Sequence, residues 1–278
     1  MNAANSLKEA YLTLKEKPTI ILLFITFAII SLSLFLLYSI NLNSISNPTS
    51  NSLATILMSY IVGLVLFVLF FILASISVMI AKQKFSGEKI LLKKAFNDAK
   101  PFFIRTVGLF IVIFLILGIP MLIFIFGGGI LFDSLVAYSS IVISLAVSGI
   151  VLLIIGIILL VFLGVGVSQS LPISMIENLG IIASIKKSFS KSYKSFWSIF
   201  GIGFTIFMIS LVFDLIEYLI STYISSLISY FLYVAYIAIL YPIVLIAIPI
   251  FYLYSNQKPD SNKPKIGTDS ASPKISQG

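Results

Sequence analysis

The chain has 278 residues, of which 59% are hydrophobic and 10% charged, and its formal net charge is +8. Soluble domains carry about a quarter charged residues, so lipid rather than water is the solvent that suits this composition. The absence of cysteine and histidine excludes disulfides, thiolate nucleophiles, histidine bases and most zinc, copper and haem ligand sets.

A spanning helix needs about 20 apolar residues to cross a hydrocarbon core about 30 Å thick. Six segments qualify. A basic stretch near 7–16, predicted as an interfacial helix, leads into an uncharged first span from Thr19 to Ile40. This apolar run exceeds the 7–15 residues or so of a signal peptide and no A-x-A-like cleavage site follows, so it is expected to stay in the mature protein. The polar NLNSISNPTSNS at 41–52 separates it from the second span, Leu53 to Ala81, and the two read as a helical hairpin. A second interfacial helix is predicted over 88–100, before a third span from Phe102 to Phe126. Gly127, Gly128 and Gly129, followed by Asp133, are expected to interrupt that span, because consecutive glycines make a poor helix interior. The fourth span runs near Ser139 to Val167, and a third interfacial helix is predicted over 181–194. The fifth runs from Phe196 to Val212, the polar DLIEYLISTYISS follows, and the sixth runs from Leu227 to Tyr254. Pro242 and Pro249 are expected to kink it.

The fold class expected is all-α: a polytopic membrane protein with six transmembrane helices in three helical hairpins, each preceded by a basic interfacial amphipathic helix. Residues 1–254 form this domain. The tail 255–278, rich in Ser, Pro, Lys and Asp with little to bury, is expected to be disordered and cytoplasmic.

Orientation follows from the cations. Lys8, Lys15 and Lys17 precede span 1; Lys82, Lys84, Lys89, Lys93, Lys94, Lys100 and Arg105 lie between spans 2 and 3; Lys186, Lys187, Lys191 and Lys194 lie between 4 and 5; Lys258, Lys263, Lys265 and Lys274 fill the tail. The opposite connections hold only Asp133, Asp214 and Glu217. The positive-inside rule then places both termini in the cytoplasm, with the chain in the cell membrane. No basic stretch combines with aromatic platforms in a soluble module, so nucleic acid is not the expected partner. Anionic lipid headgroups fit better, with a membrane or cytoplasmic protein as a further partner.

Two central segments resemble one another. Laid at an offset of 93 without a gap, Gly87 falls on Gly180, Lys93 and Lys94 on Lys186 and Lys187, Phe96 on Phe189, Phe103 on Phe196 and Gly108 on Gly201. LKEAYLTLK at 7–15 fits over LKKAFNDAK at 92–100 as a third copy. Each unit begins on the same side, so the units relate by an axis along the membrane normal and not as inverted repeats. Around residues 88–103, Leu91, Leu92, Ala95, Phe96, Ala99, Phe102 and Phe103 share one helical arc and the lysines the other, an interfacial pattern. Lys93, Lys94, Lys186 and Lys187 are therefore candidate lipid-surface contacts, against the simpler reading that they only set topology.

LPISMIENLGIIASIKKSFSKSYKSFW, Leu171 to Trp197, resembles the membrane-domain family associated with glycerophosphoryl diester phosphodiesterases and its uncharacterised six-helix relatives. The shared features are a Pro, an acid-Asn-x-Gly, a basic-basic-x-Ser-x helix and an aromatic pair entering the next span. The catalysis of those phosphodiesterases belongs to a soluble domain this chain lacks, so the resemblance implies a membrane module and transfers no catalytic residue.

Within that motif Glu177 and Asn178 form a candidate structural polar site: the carboxylate suits capping of the following helix or pairing with a lysine, and Asn178 with Gly180 suits the turn. Asp214 and Glu217 stand one turn apart and suit either a cation or the water interface. Tyr230, Tyr233 and Tyr236 suit an aromatic belt, and Gly149, Gly156, Gly164 and Gly166 suit close helix packing. With no charge in mid-span, acid–base chemistry in the bilayer is disfavoured. The expectation is a non-enzymatic module, without cofactor or metal, that organises lipids or partner proteins at the cytoplasmic surface. The alternative is a transporter or channel for a small or lipid-like substrate through the bundle.

Overall fold

The computed structural model describes residues 2–44, 53–136, 142–223 and 226–256, and every regular element among them is helical. The polar segment at 45–52 and the tail from 257 lie outside them, as does 137–141. The helices are α1 (Ala3–Glu16), α2 (Thr19–Ser44), α3 (Leu53–Phe85), α4 (Leu92–Ala99), α5 (Phe103–Val136), α6 (Val142–Val167), α7 (Ser170–Ile176), α8 (Ile181–Lys194), α9 (Phe196–Tyr223) and α10 (Ser226–Ser255). A 3-10 turn, Lys100–Phe102, joins α4 to α5. Five helical segments, in α3, α5, α6, α9 and α10, are long and apolar enough to cross a membrane. α2 is a further 26-residue helix, apolar over Thr19–Ser31. The chain is a polytopic all-α membrane protein.

Several boundaries differ from those the sequence suggests. α5 runs through the glycine triplet to Val136. The reason is packing: a Cβ at Gly127 would lie 2.5 Å from the Leu153 backbone nitrogen, one at Gly149 2.8 Å from that of Leu131, and one at Gly156 2.7 Å from that of Phe124. Only glycine lets α5 and α6 approach so closely, and the dispersion gained in lipid outweighs glycine's poor helix propensity. Gly164 meets nothing nearby, and Gly166 abuts the Phe189 ring of α8. α9 likewise runs on to Tyr223, because DLIEYLISTY contains neither Gly nor Pro and sets Asp214 and Glu217 one turn apart on a helix rich in Leu and Ile. α10 passes unbroken through Pro242 and Pro249.

The short helices also differ in extent. α1 starts four residues earlier than expected because Asn2 caps it, its side chain accepting from the Asn5 N–H at 3.0 Å. α4 starts later: Gly87 adopts a φ of 69°, and the Gln83 side chain accepts from the Leu91 N–H at 3.0 Å, holding Leu91 extended. α8 fills 181–194, with Gly180 as its extended N-cap.

The core gathers at one end of the bundle. It joins Ala10 and Leu14 of α1, Ile20 and Phe24 of α2, Ile76 to Ala81 of α3, Ile173 of α7, Ile199 and Ile202 of α9 and Ile246 to Leu253 of α10. α10 is the hub, packing on α1, α2, α3, α7 and α9. Away from this end α5, α6 and α9 turn large apolar side chains outward, among them Phe114, Ile119, Phe126, Ile158, Phe207 and Leu215. Such surfaces suit acyl chains.

Candidate functional site at the basic end

The end that holds the core also holds the described cations. Lys84, closing α3, pairs with Glu16, closing α1, at 2.5 Å. Arg105 at the start of α5 donates from Nη1 to the Asn178 side chain at 2.8 Å and to the Leu179 carbonyl at 3.4 Å. Lys191 of α8 donates to the Asn256 side chain, just past α10, at 2.7 Å. These links bring the connections that carry Lys and Arg onto one face.

α1, α4 and α8 dock there by their small residues. Ser6, Ala10 and Thr13 of α1, Ala95 and Ala99 of α4, and Ser184, Ser188 and Ser192 of α8 are fully buried. The hydroxyls are mostly satisfied locally: Thr13 donates to the Glu9 carbonyl at 2.7 Å and Ser184 to that of Gly180 at 2.7 Å. Ser188 crosses to α6, donating to the Gly166 carbonyl at 2.6 Å. Small inward faces let the helices lie close on the bundle; Leu14 and Ile185 are buried with them, while other large apolar residues stay outside. Leu91 and Phe96, expected on the apolar arc, are 47% and 43% exposed; Tyr11, Ile182 and Trp197 are 57%, 58% and 79% exposed.

Glu177 is the centre of the polar contacts. It follows α7, its N–H donating to the Ile173 carbonyl, and its carboxylate takes hydrogen bonds from Lys187, from Lys191 at 3.2 Å and from the Tyr252 hydroxyl. Lys191 also lies 4.8 Å from the centroid of the Tyr252 ring. Burial alone would raise the Glu177 carboxyl. The hydrogen bonds from Lys187, Tyr252 and Lys191, with the charge of Lys191, outweigh it and pull the pKa down to about 2. Of the two roles expected for Glu177, its carboxylate takes up the pairing with lysine. Asn178 turns the chain in the left-handed region, at a φ of 53°, and receives Arg105, whose guanidinium also lies over the Phe102 ring. The site is a staple between α5, α8 and α10.

The four candidate lysines therefore fall into two kinds. Lys94 pairs with the equally exposed Glu88 at 2.5 Å and Lys187 with the less exposed Glu177, so both already have a carboxylate partner. Lys93 and Lys186 are exposed and carry no ion pair among the described residues. Elsewhere, Tyr236 donates to Ser210 at 2.5 Å and stacks on Phe213, tying α10 to α9, while Tyr233 is 38% exposed. The side chain of Tyr230 lies outside the described residues. Tyr252 and Asn256 carry no local signal in the sequence for their contacts with Glu177 and Lys191, which lie 75 and 65 residues away.

No protein-family model matches the chain, and neither a curated protein nor a solved structure matches it.

Proposed function

We propose that this protein is a non-enzymatic membrane module whose basic end engages anionic lipid headgroups, in a cell membrane, with both termini on the cytoplasmic side. The observation that carries the reading is the pairing, on one face, of exposed apolar side chains with exposed lysines. Tyr11 lies near Lys8 and Lys15 in sequence, Phe96 near Lys93 and Lys100, Ile182 near Lys186, and Trp197 near Lys194, all exposed. In water the apolar groups would be a cost; at a headgroup boundary they are covered while the cations meet phosphate. The repeat supports the same reading: Ala10, Ala95 and Ser188 fall on equivalent positions and are all fully buried. Lys94 and Lys187, equivalent at the offset of 93, each pair with a carboxylate from the preceding connector. The resemblance of Leu171–Trp197 to the phosphodiesterase-associated membrane domains also favours a module without chemistry of its own.

The test compares copurifying anionic lipid in the full chain and in Lys93→Gln/Lys186→Gln. Retention should fall by roughly fivefold per lysine at low salt with circular dichroism and thermal stability unchanged. Unchanged retention at every salt concentration would reduce these lysines to topology signals and remove the lipid reading.

A further inference from the structure

Between the end of α1 and the α3–α4 connector lies a cleft of about 330 Å³, lined by Glu16, Lys17, Lys84, Gly87, Glu88, Lys89 and Ile90. Its size is at the small end of the range for ligand clefts, about 300–1,000 Å³. Two turns build it. Lys17 ends α1, its N–H donating to the Thr13 carbonyl, and Gly87 takes a φ of 69° so that the chain can leave α3 and run extended to Leu91. The Glu88 N–H then returns to the Gln83 carbonyl at 3.0 Å, fixing the connector as one wall.

The charges of the lining do not cancel. Glu16 is neutralised by Lys84 at 2.5 Å. Glu88 is neutralised by Lys94, at 2.5 Å from α4 and outside the lining. Lys17 and Lys89 then remain, on opposite turns, as cations with no carboxylate partner among the described residues. Two lysines lining one small cleft at the basic end suit a phosphate, which ammonium groups meet as point charges and not as a bidentate fork.

We propose that this cleft is a discrete binding site for a phosphate group, occupied by the headgroup of one anionic phospholipid. The proposal rests on the reading that the basic end faces lipid headgroups, and deepens it from a diffuse surface to one defined position. Leu91, next in sequence to the lining residue Ile90, is exposed and offers an apolar group for the acyl chains next to the cleft.

The experiment uses the full chain in detergent with defined phosphatidylglycerol, counting retained lipids by native mass spectrometry. Lys17→Gln/Lys89→Gln should weaken retention of one lipid by roughly 25-fold, and Lys82→Gln, an exposed lysine outside the lining, should not. Glu16→Gln supplies the opposite sign: it removes a carboxylate and frees Lys84, so lipid should bind more tightly although an ion pair has been lost. Inorganic phosphate at millimolar concentration should leave the lipid in place; displacement by phosphate would assign the site to the free anion and overturn the lipid headgroup. An equal loss per lysine in Lys82→Gln, or weaker binding in Glu16→Gln, would overturn the discrete site while leaving the diffuse basic surface standing. If Lys93→Gln/Lys186→Gln also changes nothing, both readings fall together.

Discussion

Replacing Gly127 by alanine adds one methyl at the crossing of α5 and α6. Its Cβ would stand 2.5 Å from the Leu153 backbone nitrogen and 3.0 Å from the Gly149 carbonyl oxygen, where ordinary contact begins near about 3.5 Å. Neither neighbour is a side chain that can rotate away, so the helices must part by about 1 Å. A gap of that size forfeits about a quarter to a half of each dispersion contact along the seam, and overpacking of this kind costs typically about 1–3 kcal/mol. Alanine's better helix propensity offsets up to about 1 kcal/mol of this. Gly128→Ala removes the ambiguity, because a Cβ there meets nothing within 4 Å and the propensity gain is the same. The difference between the two variants, read by far-UV circular dichroism during unfolding of detergent-solubilised protein by SDS, should be about 1–3 kcal/mol in favour of Gly128→Ala. Equal stabilities would mean that the glycine seam does not hold the hairpin together.

Two further outcomes follow, one from the contacts of Glu177 and one from the segregation of cations along the sequence. Glu177→Gln removes the acceptor shared by Lys187, Lys191 and Tyr252 and should cost about 1.5–3 kcal/mol near neutral pH. Because the folded pKa of about 2 lies below the ordinary 4.5, the carboxylate's stabilisation is complete above about pH 5 and is lost as pH falls from there toward 2. The wild type should show that acid-dependent fall in thermal stability, and a fall of equal size in Glu177→Gln would assign it to other groups. Topology is tested in the naturally cysteine-free chain: cysteines at Ser46 and Asp133 should react with an impermeant reagent applied outside, and one at Ser270 should not, with outside labelling of Ser270 reversing the orientation.

What could be foreseen from sequence was what depends on solvent and sign of charge. Runs such as Leu53 to Ala81 announce themselves because they are mostly apolar and carry no charge over a length that crosses lipid, and the segregated lysines mark one end in the same way. The glycine triplet misled because propensity is local whereas its use is not: Gly127 belongs to a contact with Gly149 and Leu153 that no window around residue 127 contains. The same holds for Glu177. Its need for a cationic partner was legible in its position after α7, and Lys187 lies ten residues on. Tyr252 lies 75 residues away, in a helix where a tyrosine reads as one more interfacial aromatic. Small residues on α8 were equally quiet: Ser184, Ser188 and Ser192 look polar, yet backbone carbonyls within reach of Ser184 and Ser188 allow them to be buried.

The position of α10 as hub has a consequence for biosynthesis. Ribosomes deliver helices in chain order, at about 5–20 residues per second, and α10 follows all the other described helices. Ile20, Phe24 and Ala10, of α1 and α2, belong to the same core as Ile246, Ile250 and Phe251, so these partners arrive only after the other described helices have been made. The α5–α6 hairpin closes on itself through its glycines and can assemble as soon as both helices are inserted. The N-terminal helices cannot. Until α10 enters the bilayer, their inward faces are covered by lipid or by the insertion machinery, and a chain truncated before residue 226 should persist as separate hairpins awaiting a keystone.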